Sequence, residues 1–148
     1  MDQAAVKNMK YRWTVAQTVK YVRSCTDPET LYLCAFNYNW DDEFDIPTEI
    51  LKNPACTLST ALQLFYGGDG MSVLEEDMCE DEEFLEDWRS FIKPLYERII
   101  KGDFPTEPRI KFDPPVTKVE MYVMQKELKP EEMVFITPLE GVDCDIIL

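Results

Sequence analysis

A mainly α-helical fold is predicted: a compact bundle of short paired helices, one longer helix near residues 80–101, and an extended C-terminal segment. Three observations carry it. Apolar residues recur three and four positions apart along most of the chain, helix-start signals precede several of these runs, and only one stretch is rich in proline. With 148 residues, 45% of them hydrophobic, 12% aromatic and only five glycines, the chain reads as one domain, 1–148, long enough to bury a core.

Taken in order, residues 4–24 place Val6, Met9, Trp13 and Ala16, with Val15, Val19 and Val22 close by, at helical spacing, so one helix is expected there. Asp27-Pro28-Glu29 supplies an N-cap followed by proline at the first helical position. It opens a helix to about residue 38, with Leu31, Cys34, Ala35 and Tyr38 on one face. Ile46-Pro47-Thr48-Glu49 starts a short helix that stops at Asn53-Pro54, because the residue before proline avoids the helical region. Thr57 caps the next helix, whose face is Leu58, Ala61, Leu62 and Phe65, and Gly67-Gly68 are expected to end it in the left-handed conformation. The stretch from Ile46 to Phe65 is similar to an α-solenoid unit, but no repeat period runs along the chain.

Residues 80–101 carry the stripe Phe84, Leu85, Trp88, Phe91, Ile92, Leu95 and Ile99, with acidic residues gathered at the start and Arg98 and Lys101 near the end, as the helix dipole favours. Pro94 falls inside it, and its ring would meet the Ser90 carbonyl, so a kink or break is expected there, with Gly102 as the stop. Residues 103–115, with four prolines, read as an extended wrapping segment. Val116, Val119, Met121, Tyr122 and Val123 suit a helix or a strand; a helix over 116–127 is favoured. Lys129-Pro130 breaks it, and Met133-Val134-Phe135-Ile136 reads as a short strand or an extended strip over the core.

Charge and composition narrow the function classes. The net charge is −14, which repels phosphate backbones and anionic membrane surfaces, so neither nucleic acid nor membrane is expected as a ligand. The chain has no histidine, which removes Ser-His-Asp, Cys-His and His-metal chemistry. Its five cysteines are odd in number and form no Cys-x-x-Cys pair, a poor framework for disulfides or zinc and a better fit to a reducing compartment. The N-terminal stretch has no signal-peptide run, and no segment approaches the roughly 18 apolar residues of a membrane span. A cytoplasmic protein is expected, with no metal, no cofactor and no catalytic residue.

The charge is uneven: +4 over residues 1–24, −16 over residues 25–87, where Lys52 is the sole base, and −2 over residues 88–148. Nine of the thirteen residues from Glu75 to Asp87 are acidic. Glu75, Glu76, Asp77, Glu80, Asp81, Glu82 and Glu83, with Phe84 as apolar anchor, are therefore the candidate surface for a basic protein partner; a solvated helix start is the plainer alternative. The second unusual stretch, Asn37 to Asp45, packs aromatics and carboxylates into a corner between helices. It fails as a calcium loop, since counting from Asn37 puts Asp42 where glycine belongs and Thr48 where glutamate belongs. Tyr38, Trp40 and Phe44 are expected to bury their rings there while Asp41 and Asp42 hold the turn. Gly67-Gly68-Asp69-Gly70 lacks the Lys-Ser or Lys-Thr of a phosphate loop and follows a helix.

Asn37-Tyr38-Asn39-Trp40-Asp41-Asp42, then Phe44, Ile46-Pro47, Ile50-Leu51, Asn53-Pro54, Cys56 and Thr60-Ala61-Leu62, resemble a bacterial family known as a domain of unknown function, number 4274. The likeness continues through Phe65, Tyr66, Asp69 and Gly70, and more loosely through Leu95-Tyr96, Arg98-Ile99-Ile100, Gly102-Asp103-Phe104, Pro114-Pro115 and Thr117-Lys118-Val119, about three quarters of the chain in all. Glu43 stands where the family pattern has a small residue. The resemblance implies no reaction, substrate or catalytic residue. It implies likeness to small acidic immunity proteins, which neutralise a bacterial toxin through a surface complementary to a basic toxin domain. Two alternatives stay open: a cation-dependent hydrolase using Asp41, Asp42, Asp45 and Asp69, and an adaptor or structural domain with no toxin.

Overall fold

Asp2 opens the first helix, α1 (Gln3–Tyr11), its carboxylate accepting the Ala5 N–H at 3.0 Å. The computed structural model describes residues 1–75 and 85–148. The single helix expected over residues 4–24 is two, α1 and α2 (Val15–Ser24). Thr14 turns extended between them and forms a reciprocal cap: its hydroxyl accepts the Gln17 N–H while the Gln17 side chain accepts the Thr14 N–H. The apolar period runs through both helices, so it hides the corner; the Thr-x-x-Gln cap is the signal that marks it.

α3 (Pro28–Phe36) starts as expected, with Asp27 accepting the Glu29 N–H and the Thr30 hydroxyl, but it ends at Phe36 with Asn37 as its cap. Every residue from Thr30 to Ala35 is buried, as suits a helix that is apolar all round and lies in the middle of the fold. α4 (Asp45–Lys52) stops at Asn53, ahead of Pro54. α5 (Leu58–Gly67), capped by Thr57, lies against α3 and is buried nearly as completely. The short α6 (Met71–Leu74) follows.

Gly67 and Gly68 are not left-handed; Gly67 is the last helical residue and Gly68 has φ −84°, while Asp69 takes the positive φ of 62°. The two glycines answer a different demand, close approach. A Cβ on Gly67 would sit 2.4 Å from Trp40 Nε1, and one on Gly68 would sit 3.1 Å from the Phe91 ring.

α7 (Glu86–Ile100) runs through Pro94 as one helix. Ser90 and Pro94 both stand on its exposed side, so the carbonyl that Pro94 leaves without a donor faces water and no break is required. Gly102, at φ 73°, ends it: the Gly102 N–H donates to the Ile99 carbonyl and the Asp103 N–H to that of Arg98, which closes the last turn. α8 (Lys118–Glu127) carries a second reciprocal cap, Thr117 with Glu120. Met133-Val134-Phe135-Ile136, expected as a short strand or an extended strip, belong instead to a 3-10 helix (Pro130–Ile136). Phe135 is fully buried there, 4.5 Å centroid to centroid from Phe65 and stacked on Tyr96, and its carbonyl accepts the Tyr66 hydroxyl.

α2 packs on α4, α5 on α7, α1 on α3, and the 3-10 helix on both α7 and α8. Extended chain wraps this bundle, with isolated bridges pairing Ile110 with Val142 and Phe112 with Leu139. Buried hydrogen bonds tie the turns down. Asn53 Nδ2 donates to the carbonyls of Val22 and Cys25, both at 2.8 Å, and its Oδ1 accepts the Ala55 N–H. Cys34, Cys56 and Cys144 are buried free thiols, and burial pushes those of Cys34 and Cys56 up to about 12. Among the described residues no helix is long and apolar enough to cross a membrane.

Candidate functional site

The corner between α3 and α4 is built on Asn37 and Asn39. Asn37 is buried, its Nδ2 donating to the carbonyls of Leu33 and Ile146 and its Oδ1 accepting the Leu148 N–H. Asn39 makes the turn: its side-chain oxygen accepts the Asp41 N–H at 3.1 Å and its carbonyl accepts the Asp42 N–H. Asp41 and Asp42 thus contribute backbone donors to the turn, while their side chains are exposed.

The aromatics form the floor. Tyr38 is buried and its hydroxyl donates to the Glu43 carbonyl. Trp40 meets Tyr38 edge-on at 5.1 Å and lies over Gly67 and Gly68, and Phe44 stacks on Phe91 at 4.9 Å. Trp88 Nε1 donates to the Gly68 carbonyl, fixing α7 to the same glycines. The corner is therefore an aromatic knot joining α3, α5 and α7, with carboxylates on its outside.

Asp41, Asp42, Glu43, Asp45 and Asp87 line one open hollow of about 560 Å³ together with Phe44, Thr48 and Ser90. A hollow of about 420 Å³ shares the first four carboxylates and adds Val15, Tyr38 and Ile46. No Lys or Arg of the described residues forms an ion pair with any of the five. The field they set up is felt by Tyr38: burial first, then the charges of Asp42, Asp45 and Glu43, hold its phenol well above the usual range. Asp69 does not line the hollow; its carboxylate accepts the Ser72 hydroxyl beyond α5. Among the described residues, no three His, Cys, Asp or Glu side chains are grouped so as to hold a metal ion.

Of the acidic run proposed to face a partner, Glu75 is exposed at the end of α6. Glu76, Asp77, Glu80, Asp81, Glu82, Glu83 and Phe84 lie outside the described residues. Sequence reasoning did not link Asp87 to the corner. That residue sits in the first turn of α7, and what carries it to the hollow is the Phe44–Phe91 stack, a contact between residues far apart in the chain.

A family model described as a domain of unknown function, DUF4274, matches residues 26–100. The matched stretch runs from the turn before α3 to the end of α7 and so contains the whole corner; the looser likeness beyond Ile100 falls outside it. No curated protein and no solved structure matches the chain. With half its length matched, and with the Tyr-Asn-Trp-Asp-Asp block inside the match, the chain belongs to the DUF4274 family.

Proposed function

We propose that this chain is a non-catalytic protein-binding module, an immunity protein that neutralises a bacterial toxin by taking a basic domain onto its acidic face. The observation that carries the reading is the corner hollow: five exposed carboxylates beside an aromatic base, with no cation of the described residues paired to them. A negative patch speeds encounter with a positive one. The acidic run from Glu75 to Asp87 extends that charge in sequence.

The hydrolase alternative asks Asp41, Asp42, Asp45 and Asp69 to converge. Three of them share the hollow and Asp69 is engaged elsewhere, which favours binding over chemistry. The test is growth rescue. The C-terminal domain encoded by the gene immediately upstream is expressed with and without this chain. Protection is expected from the wild type and loss of protection from Asp41→Lys/Asp42→Lys/Asp45→Lys, with the helical circular-dichroism spectrum kept. If neither rescue nor a complex is found with that domain, the immunity reading is wrong.

A further inference from the structure

The outer side of α8 presents a second surface, away from the hollow. Val119 is 74% exposed, Tyr122 59% and Val123 42%, one helical turn apart, although α8 buries only Met124. Between this face and the end of α6 lies a groove of about 190 Å³ with Leu74, Val119, Val123, Met124 and Leu128 as its apolar lining. Among the described residues its polar lining is all carboxylate: Glu75, Glu120 and Glu127. Lys118 and Lys126 do not line it, and Lys126 is folded over the Tyr122 ring at 4.1 Å.

We infer that the groove between α6 and α8 is a docking site for a basic amphipathic helix of a protein partner, seated by one apolar side chain. The choice of occupant rests on charge. A second copy of this chain, related by a two-fold axis, would bring the carboxylates of one groove against those of the other on a body of net charge −14. The run Glu76–Glu83 of the chain itself carries six carboxylates and would meet three more. An anionic membrane is repelled likewise. A helix with Lys or Arg flanking an apolar anchor satisfies floor and rim together, by the helix-in-groove mode of recognition. The inference stands apart from the immunity reading, since it uses none of the corner carboxylates.

The probe is a fluorescein-labelled sixteen-residue peptide of leucine and lysine, about that length being one short helix, with leucine at i, i+4 and i+7. Controls replace its lysines by glutamate or its leucines by alanine. Binding is followed by anisotropy and by methyl shifts of the full chain. The Leu/Lys peptide is expected to shift Leu74, Val119, Val123 and Leu128. Val119→Ser/Val123→Ser and Glu75→Lys/Glu127→Lys should each weaken it at least tenfold, while Asp41→Asn/Asp42→Asn/Asp45→Asn leaves those shifts in place. Shifts confined to the corner, equal binding of either control peptide, or no binding overturns the inference. So does a self-associated chain, found by sedimentation, that Val119→Ser/Val123→Ser dissociates. Growth rescue that fails while the groove binds removes only the immunity reading, and the converse removes only the groove.

Discussion

A glycine at a helix end is usually read as a conformational device, yet Gly67 serves as space. It keeps ordinary helical geometry, and what it offers is the absence of a Cβ, which would lie 2.4 to 2.9 Å from three atoms of the Trp40 indole. Replacing it by alanine sets two effects against each other. Helix propensity gains roughly 1 kcal/mol, while forcing the indole off its seat costs roughly 1–3 kcal/mol in disturbed packing. Because that ring also touches Tyr38, Phe44 and Phe91, the clash should win, and Gly67→Ala is expected to lose up to about 2 kcal/mol by urea titration. Trp40→Leu removes the obstacle, so in that background the same change should become neutral or stabilising. A penalty that persists without the indole would show that Gly67 is needed for its backbone. None of this is legible in the sequence, since Gly-Gly after a helix reads as a stop; the pairing of Trp40 with Gly67 spans 27 positions and only the packed structure reveals it.

At the scale of elements, local signals were legible and long-range ones were not. Asp27-Pro28, Thr57, Asn53-Pro54 and Gly102 mark real boundaries because a cap or a proline acts within one turn. The split between α1 and α2 escaped because the apolar period crosses it, and the 3-10 helix escaped because Phe135 is placed by partners on α5 and α7. The extended C-terminal segment was expected, but not its anchor. Tyr32 donates to Asp145, Asn37 grips Ile146 and Leu148, and the Leu148 carbonyl accepts from Lys10 Nζ at 2.6 Å and from the Tyr11 hydroxyl. Asn37 is the hub, since it both ends α3 and holds the segment. Asn37→Ala should cost about 2–3 kcal/mol, three hydrogen bonds at roughly 1 kcal/mol each with part of the loss recovered by water. It should also erase hydrogen-exchange protection of the Leu148 amide. Asn37→Asp keeps the acceptor for Leu148 but sets a carboxylate against two carbonyls, and should be no better. Unchanged Leu148 protection in both variants would mean that Lys10, Tyr11 and Tyr32 suffice.

For the whole molecule, the question is what an acidic corner without an ion pair among the described residues costs a body of net charge −14. Of the described ion pairs, the bidentate one, Arg23 with Glu49 at 3.0 Å, does not line the hollow and pairs none of its carboxylates. Asp45 and Asp87 stand in the first turns of α4 and α7, where the helix dipole favours an anion, so these two stabilise the elements that carry them. Asp41, Asp42 and Glu43 have no such compensation: they are exposed, outside any helix, and crowded by one another. Their repulsion is a stability penalty of the kind expected at a binding surface, and it is screened by salt within about 10 Å at 0.1 M. Asp41→Asn/Asp42→Asn/Glu43→Gln should therefore raise the stability of the isolated chain by about 0.5–1 kcal/mol at low ionic strength, a few tenths for each like-charge contact removed. The gain should fade towards zero by 0.5 M NaCl, because added salt screens the wild type and has little left to screen in the variant. The same three changes should slow association with a basic partner by about tenfold at low salt while leaving its dissociation nearly unaltered. A variant less stable than wild type at every salt concentration would mean that these carboxylates hold the turn through their side chains, and the corner would then be a structural feature and not a surface kept charged for a partner.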